Sequence, residues 1–405
     1  MMSMPHPHQR CDPTHRPGRR SPCPCRGAAA GRPYPLRSPA AHAPPPERRR
    51  SPSGPGADPR ARDVILVRMR TRAAAAVAAL GVLVAALAGC APDAPGSAAG
   101  AAIGACGPQA RAVDPSADAL QRALDDARPG DVLALAAATY RGPFTITTSG
   151  ADEPITLCGT SASVLDGGAV DSGYALHLDH VADWVLTGFR VTGGQKGIVL
   201  DGVATTTLTG LEVSGTGQEA VHLRAGSSDN VIDGLVIHDT GRSTPEFGEG
   251  VYIGTAASNW CTVTACEPDR SDRNRVTGTT VFDVTAEAID VKEGTSDGVI
   301  SGNTLSIADA AAVDSVVDLK GTGWLVADNR LTVAAGDGIQ IHSISTPVEV
   351  RSGASNTVSR NTFDLSASAV AVTVVGAARR AGNTVTCDNV SDGASTPPPM
   401  SPSCR

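Results

Sequence analysis

Lysine is nearly missing from this 405-residue chain: only Lys196, Lys292 and Lys320 occur among 34 basic residues, the rest being arginine. Aromatic residues are 3% of the total, which excludes helices packed around large aromatic cores. Runs of histidine or methionine are also absent, so the chain does not read as a metal-delivery protein. From about residue 150 onward Gly, Val, Thr, Ala, Asn and Asp dominate. Such a mixture suits many short strands joined by tight turns.

Residues 1–68 lack apolar periodicity and are crowded with Pro, His and Arg. A segment like this buries too little surface to fold, and it reads as a disordered or non-native leader. At Met69 "MRTRAAAAVAALGVLVAALAGC" begins, with arginines, an apolar run and the ending Leu87-Ala88-Gly89-Cys90. That layout, over 69–90, is a secretory signal whose end resembles a bacterial lipobox, with Cys90 the lipidated first residue of the mature protein. An ordinary cleaved signal or a single anchor helix is the other reading, although the run is short for a span of about 20 residues. Residues 91–104 form an Ala/Gly/Pro/Ser linker. The expected product is an extracellular, cell-surface lipoprotein, monomeric and touching the membrane only through its lipid.

Thirteen arginines against four acids precede residue 69, and Arg70 and Arg72 follow, so the remaining chain carries −18 of the total −7. An acidic mature chain is a poor nucleic-acid binder, because phosphate affinity needs clustered positive charge. Of ten cysteines, Cys106, Cys158, Cys261, Cys266, Cys387 and Cys404 lie beyond Cys90. An even count in an exported chain suggests disulfides, and sequence order suggests Cys106–Cys158, Cys261–Cys266 and Cys387–Cys404. A zinc site would need paired cysteine spacings that are missing.

A repeat organises the rest. "SADALQRALDDARPGD" places Leu120, Ala123 and Leu124 at helical spacing before a Pro-Gly stop. Then come YALHLD (174–179), KGIVLD (196–201), EAVHLR (219–224), EGVYIG (249–254), EAIDVK (287–292), SVVDLK (315–320), DGIQIH (337–342) and SAVAVT (368–373). The shortest separations are 22 and 23 residues. Each block precedes two further short strands, and Asn303, Asn329, Asn361 and Asn383 are aligned at one later turn. Three short strands at this period predict an all-β, right-handed parallel β-helix over 105–392, with the helix capping its N-terminal end and 393–405 as a tail.

Side chains alternate along a strand, so the aliphatic third and fifth residues of each block point inward and the fourth and sixth outward. The outward columns bring together His222, Tyr252, Asp290, Asp318 and Gln340, and Arg224, Lys292, Lys320 and His342. The first column stacks Glu219, Glu249 and Glu287. Asp290 is expected beside Asp318 at about 4.8 Å, and two of the three lysines stack alongside. Insertions at 238–248 and 255–274 flank this patch and are expected to wall a groove. Arg224, Asp290, Asp318, Gln340 and His342 would bind sugar there.

These blocks, and the opening "ALQRALDDARPGDVLALAAATYRGPFTI…PITLCG…VLDGG", resemble the pectate-lyase-like β-helix superfamily, nearest the chondroitinase B and alginate lyase family of polysaccharide lyases. The resemblance runs to about residue 390. It implies cleavage of a uronic-acid-containing polysaccharide by β-elimination, with Glu287 and Lys292 at the family's spacing for a calcium ligand and a catalytic base. Glu249 and Glu219 would add oxygens for Ca²⁺ from adjacent rungs. Thr285, Glu293-Gly294 and Lys320 stand where the family has an acid, serines and an arginine. In that reading Lys292 as free amine removes the C5 proton, Lys320 lowers its pKa, and Tyr252 or His222 protonates the leaving oxygen. Two other readings use the same face: a hydrolase with Asp290 and Asp318 as paired carboxylates, and a non-catalytic glycan-binding or scaffold protein.

Overall fold

On one sheet, each full turn of the coil drops two aliphatic side chains into a common interior. The third-column residues Leu176, Ile198, Val221, Val251, Ile289, Val317 and Ile339 are fully buried, as are Leu178, Leu200, Leu223, Ile253, Val291, Leu319 and Ile341 of the fifth. The computed structural model describes residues 106–405 apart from 152, 308–312 and 394–396. The leader, the signal segment with Cys90 and the linker lie outside the described residues. Among the described residues no helix is long and apolar enough to cross a membrane.

The strands form three parallel sheets of eleven, ten and ten strands, stacked as a right-handed β-helix. One sheet carries all the candidate site columns. Its strands, in chain order, are β1 (Phe144–Ile146), β2 (Tyr174–Asp179), β3 (Lys196–Asp201), β4 (Val221–Arg224), β5 (Val251–Ile253), β6 (Ile289–Val291), β7 (Ser315–Leu319), β8 (Asp337–His342), β9 (Val370–Val375) and β10 (Met400–Ser401). The register pairs His222 with Tyr252, Tyr252 with Asp290, Asp290 with Asp318 and Asp318 with Gln340. Apart from Val316 the second column is Gly or Ala, and at Gly250 neighbouring backbone fills the space: a Cβ there would sit 2.6 Å from Ala288 O.

Helix α1 (Ala117–Asp125) closes the N-terminal end. Ser116 caps it, accepting from Ala119 N at 3.2 Å, and its face of Leu120, Ala123 and Leu124 is buried. Gln121 accepts from Thr145 N at 3.0 Å and donates to Thr145 O at 2.7 Å, which satisfies the open edge of β1. The three expected disulfides, Cys106–Cys158, Cys261–Cys266 and Cys387–Cys404, are present.

Three details differ from the sequence reading. Asp337 pairs with Val370, not Ser368, so Thr373 takes the fourth column of the last full rung and Val375 the sixth. The run Ala369–Val375 is apolar at nearly every position, so a shift of two residues leaves its hydrophobic pattern unchanged. The tail also belongs to the coil: Met400 and Ser401 pair with Val372 and Thr373 as β10.

The third concerns asparagine. Asn303, Asn329 and Asn361 form a buried ladder that Asn389, not Asn383, completes. Asn383 belongs to a neighbouring column, where it accepts from Asn356 N at 2.8 Å. Within the ladder, Asn361 donates to Val326 O and Asn389 Oδ1 and accepts from Asn329 N and Nδ2. Asn361→Ala strands several of these buried groups, so it should cost about 3 kcal/mol of stability, read as a lower urea midpoint with unchanged slope.

Candidate functional site

Both insertions leave the rung of β5, one on each side. The first ends in the short 3-10 turn Pro245–Phe247, and the second carries the turns Ala257–Asn259 and Trp260–Val263. The second is pinned rather than loose. Asp269, fully buried, accepts from Ala225 N, Gly226 N and Ser271 Oγ. Glu293 Oε1 accepts from Ala257 N at 2.6 Å, Trp260 Nε1 donates to Thr255 O at 2.9 Å, and Cys261–Cys266 closes the turn. Phe247 from one wall, Asn259 from the other and Tyr252 on the strand border both of two neighbouring cavities.

The larger cavity, about 800 Å³, lies toward β6 and β7. Lys292 stands on its floor, Nζ 4.8 Å from the centre of the Tyr252 ring and bonded to Asp290 Oδ2. Asp290 is 1% exposed, and its other oxygen accepts from Lys320 Nζ at 3.0 Å. Carboxylate oxygens of Glu249, Glu287 and Asp290 come within 4.8 Å of one another, as do those of Glu287, Asp314 and Asp318. Burial, and then the negative charges of Glu219 and Asp290, push Glu249 well above the usual carboxylate range. Burial and Asp290 raise Glu287 to about 7. Glu249 Oε2 is buried with no hydrogen-bond partner among the described residues.

An all-oxygen set with an orphaned buried oxygen and more acid than nearby cation fits a hard cation such as calcium. Burial acts to lower Lys292, but the Asp290 carboxylate outweighs it and holds the ammonium charged. The expected free amine therefore meets a local field that keeps its proton. Tyr252 is raised well above the usual phenol range by burial and Asp290, so its phenol stays protonated.

The smaller cavity, about 330 Å³, lies toward β3 and β4. Lys196 bonds Glu219, and His222 Nδ1 is 3.4 Å from that carboxylate. His222 Nε2 lies 3.1 Å from Gly254 O, so the proton is assigned to Nε2. Burial, then Lys196 and Arg224, hold His222 well below its usual range and keep it neutral. Arg224 forks onto Asp201 and reaches Tyr174 Oη at 3.1 Å.

Several expected residues are placed differently. Glu219 is committed to Lys196 and lies outside the cation cluster, whose third member is Asp290 instead. Lys320, 6% exposed, is bonded to both Asp290 and Asp318 and lines neither cavity, so it orders these acids. Asp318 contacts His342 Nδ1 at 3.2 Å, Gln340 Nε2 donates to Asp337 Oδ2, and none of the three lines either cavity. The sequence reading missed Phe247, Asn259, Gln218 and Thr255. For Phe247 the signal was available: an aromatic inside a Pro/Gly-containing insertion, in a chain with five phenylalanines.

The family described as a right handed beta helix region matches residues 174–363. Among solved structures, an alginate lyase from Paenibacillus sp. str. FPU-7 is 31% identical, covering 72% of this chain and 97% of that one, with a TM-score of 0.63. A pectate lyase is 15% identical over 62% of this chain and 71% of that one, with a TM-score of 0.44. A family 28 exopolygalacturonase from Yersinia enterocolitica is 11% identical over 72% and 77%, with a TM-score of 0.46. No curated protein matches the sequence.

Proposed function

Because the chain belongs to the pectate-lyase-like superfamily of right-handed β-helices, we propose that it is a polysaccharide lyase, cleaving a uronic-acid-containing polymer by β-elimination in the cleft over Tyr252. The observation that carries this is the pairing of Lys292 with Tyr252, 4.8 Å apart beside three clustered carboxylates, within walled cavities large enough for sugar rings. Likeness to an alginate lyase over 97% of its length supports the reaction class.

Elimination removes the proton on C5 of the uronate and breaks the C4–O bond, leaving a C4=C5 double bond. Lys292 Nζ takes the C5 proton and the Tyr252 hydroxyl gives one to the departing oxygen. Glu249, Glu287 and Asp290 would hold calcium, which would supply positive charge to neutralise the uronate carboxylate and to offset the hold of Asp290 on Lys292. Lys320 keeps Asp290 and Asp318 in place. The hydrolase alternative loses support because Lys320 bridges both aspartates and Asp318 is depressed, its burial outweighed by His342 and Lys320, so it does not serve as the protonated acid. Three disulfides suit an oxidising compartment, in keeping with an exported monomer anchored through Cys90.

The test is incubation of the mature protein with a panel of uronate polysaccharides, with and without calcium, following the ultraviolet absorbance of unsaturated product. Absorbance should grow on at least one polymer and only with calcium. A folded protein that binds glycans and yields no absorbance on any of them would establish the scaffold reading instead.

A further inference from the structure

The smaller cavity is built unlike the larger one. Its two cations are each paired: Lys196 with Glu219, and Arg224, at 2.5 and 3.0 Å, with Asp201 of the rung before. Among the described residues that line it, each cation already has a carboxylate partner. What lacks a partner is neutral hydrogen-bonding capacity. Thr255 Oγ1 and His222 Nδ1, on side chains 3% and 6% exposed, are buried without a hydrogen-bond partner among the described residues. The Glu219 carboxylate, 3.4 Å from His222 Nδ1, is itself an acceptor. Buried polar atoms in such positions cost about 1–3 kcal/mol each unless a partner is supplied. The cavity volume, about 330 Å³, suits one pyranose ring. Thr262 and Val263, in the turn clipped by Cys261–Cys266, form its outer wall, and half-exposed Phe247 offers an apolar face at its junction with the larger cavity.

The geometry points to a hydroxyl-reading subsite for one uncharged sugar, and we propose that the substrate is a polymer in which a neutral sugar is joined to O4 of a uronic acid. This rests on the reading of the larger cavity as the uronate side. A chain crossing both cavities has its linkage over Tyr252, so the neutral ring is the leaving group. A hydroxyl of that ring donates to His222 Nδ1, and another exchanges a hydrogen bond with Thr255 Oγ1. A polymer of uronic acids alone would instead bring a second carboxylate into a cavity whose cations are already paired.

The experiment compares oligosaccharides of equal length, one alternating uronic acid with neutral sugar and one composed only of uronic acid. Turnover is measured for the wild type, and binding by calorimetry for Lys292→Ala. The alternating ligand should give about tenfold higher kcat/KM and bind Lys292→Ala about tenfold more tightly. Thr255→Val should raise KM for the alternating substrate about tenfold with kcat within about twofold, and Thr255→Ser should restore it. Equal or better turnover of the all-uronate substrate with unsaturated product, or an unchanged KM in a folded Thr255→Val, overturns the subsite and leaves the lyase reading standing. Preferential binding of the alternating ligand without unsaturated product from either substrate overturns the lyase reading and leaves the subsite standing.

Discussion

Lys292→Arg should abolish turnover as completely as Lys292→Ala, each lowering kcat roughly a thousandfold while the fold survives. The paired substitutions separate two roles that one lysine could play. A clamp needs only positive charge, which arginine keeps. A base must lose its proton, which arginine does not do near neutral pH. Folding should tolerate either change, because Asp290 retains Lys320 at 3.0 Å when Lys292 is gone and is not left as an unpaired buried charge. Tyr252→Phe removes only the hydroxyl and should cost about a hundredfold in kcat. Circular dichroism and the urea midpoint check folding, and single-turnover kinetics read the chemical step. Substantial activity in Lys292→Arg would make the residue a clamp and move the base elsewhere.

Without calcium the protein should lose stability as pH rises from about 5 to 8, and calcium should restore it. The sign follows from Glu287, raised to about 7, and Glu249, raised further by burial and neighbouring charge. Unfolded, both lose their protons near the ordinary glutamate value; folded, they keep them to higher pH. Through that window the folded state binds more protons, so stability falls with rising pH, by about 3 kcal/mol for Glu287 alone. Asp318 and Asp201 act oppositely: their pKa values are depressed despite burial by His342 and Lys320, and by His177 and Arg224. Their stabilisation is present above the ordinary aspartate range and is lost on acidification. Stability should therefore peak near pH 5. A cation bound only by the folded state stabilises by mass action, and more at pH 8, where fewer protons compete for the oxygens. Thermal unfolding across pH with calcium or chelator reads this directly. A flat profile with no calcium response would contradict the carboxylate cluster.

Most of the coil was legible because its core obeys a simple rule: two inward aliphatics per rung, repeated at 22 or 23 residues where nothing is inserted. The neighbours Tyr252–Asp290–Asp318–Gln340 follow from that rule alone, and the structure has them in register. The last rung is misplaced by the sequence pattern because Thr373 is the one polar residue in Ala369–Val375 and does not by itself mark the register. Other residues were misjudged because alternation specifies which side of a strand a side chain takes, not what covers it. Asp318, Lys320 and Gln340 point outward and are still buried, each in contact with side chains of its own or a neighbouring rung. Glu219 was read as part of a carboxylate column, yet Lys196 occupies the same column one rung earlier and claims it. The insertions are recognisable as walls, but that Phe247 and Asn259 join Tyr252 in lining both cavities depends on how each loop folds.

The most direct test of the central claim is the mass of the cut products. A defined oligosaccharide is digested in water enriched in heavy oxygen, and both fragments are weighed. Elimination predicts that the two masses sum to that of the substrate, with no heavy oxygen incorporated and a double bond on the uronate fragment. Fragments heavier in sum by one water, with heavy oxygen at the new reducing end, would make the protein a hydrolase and contradict the account.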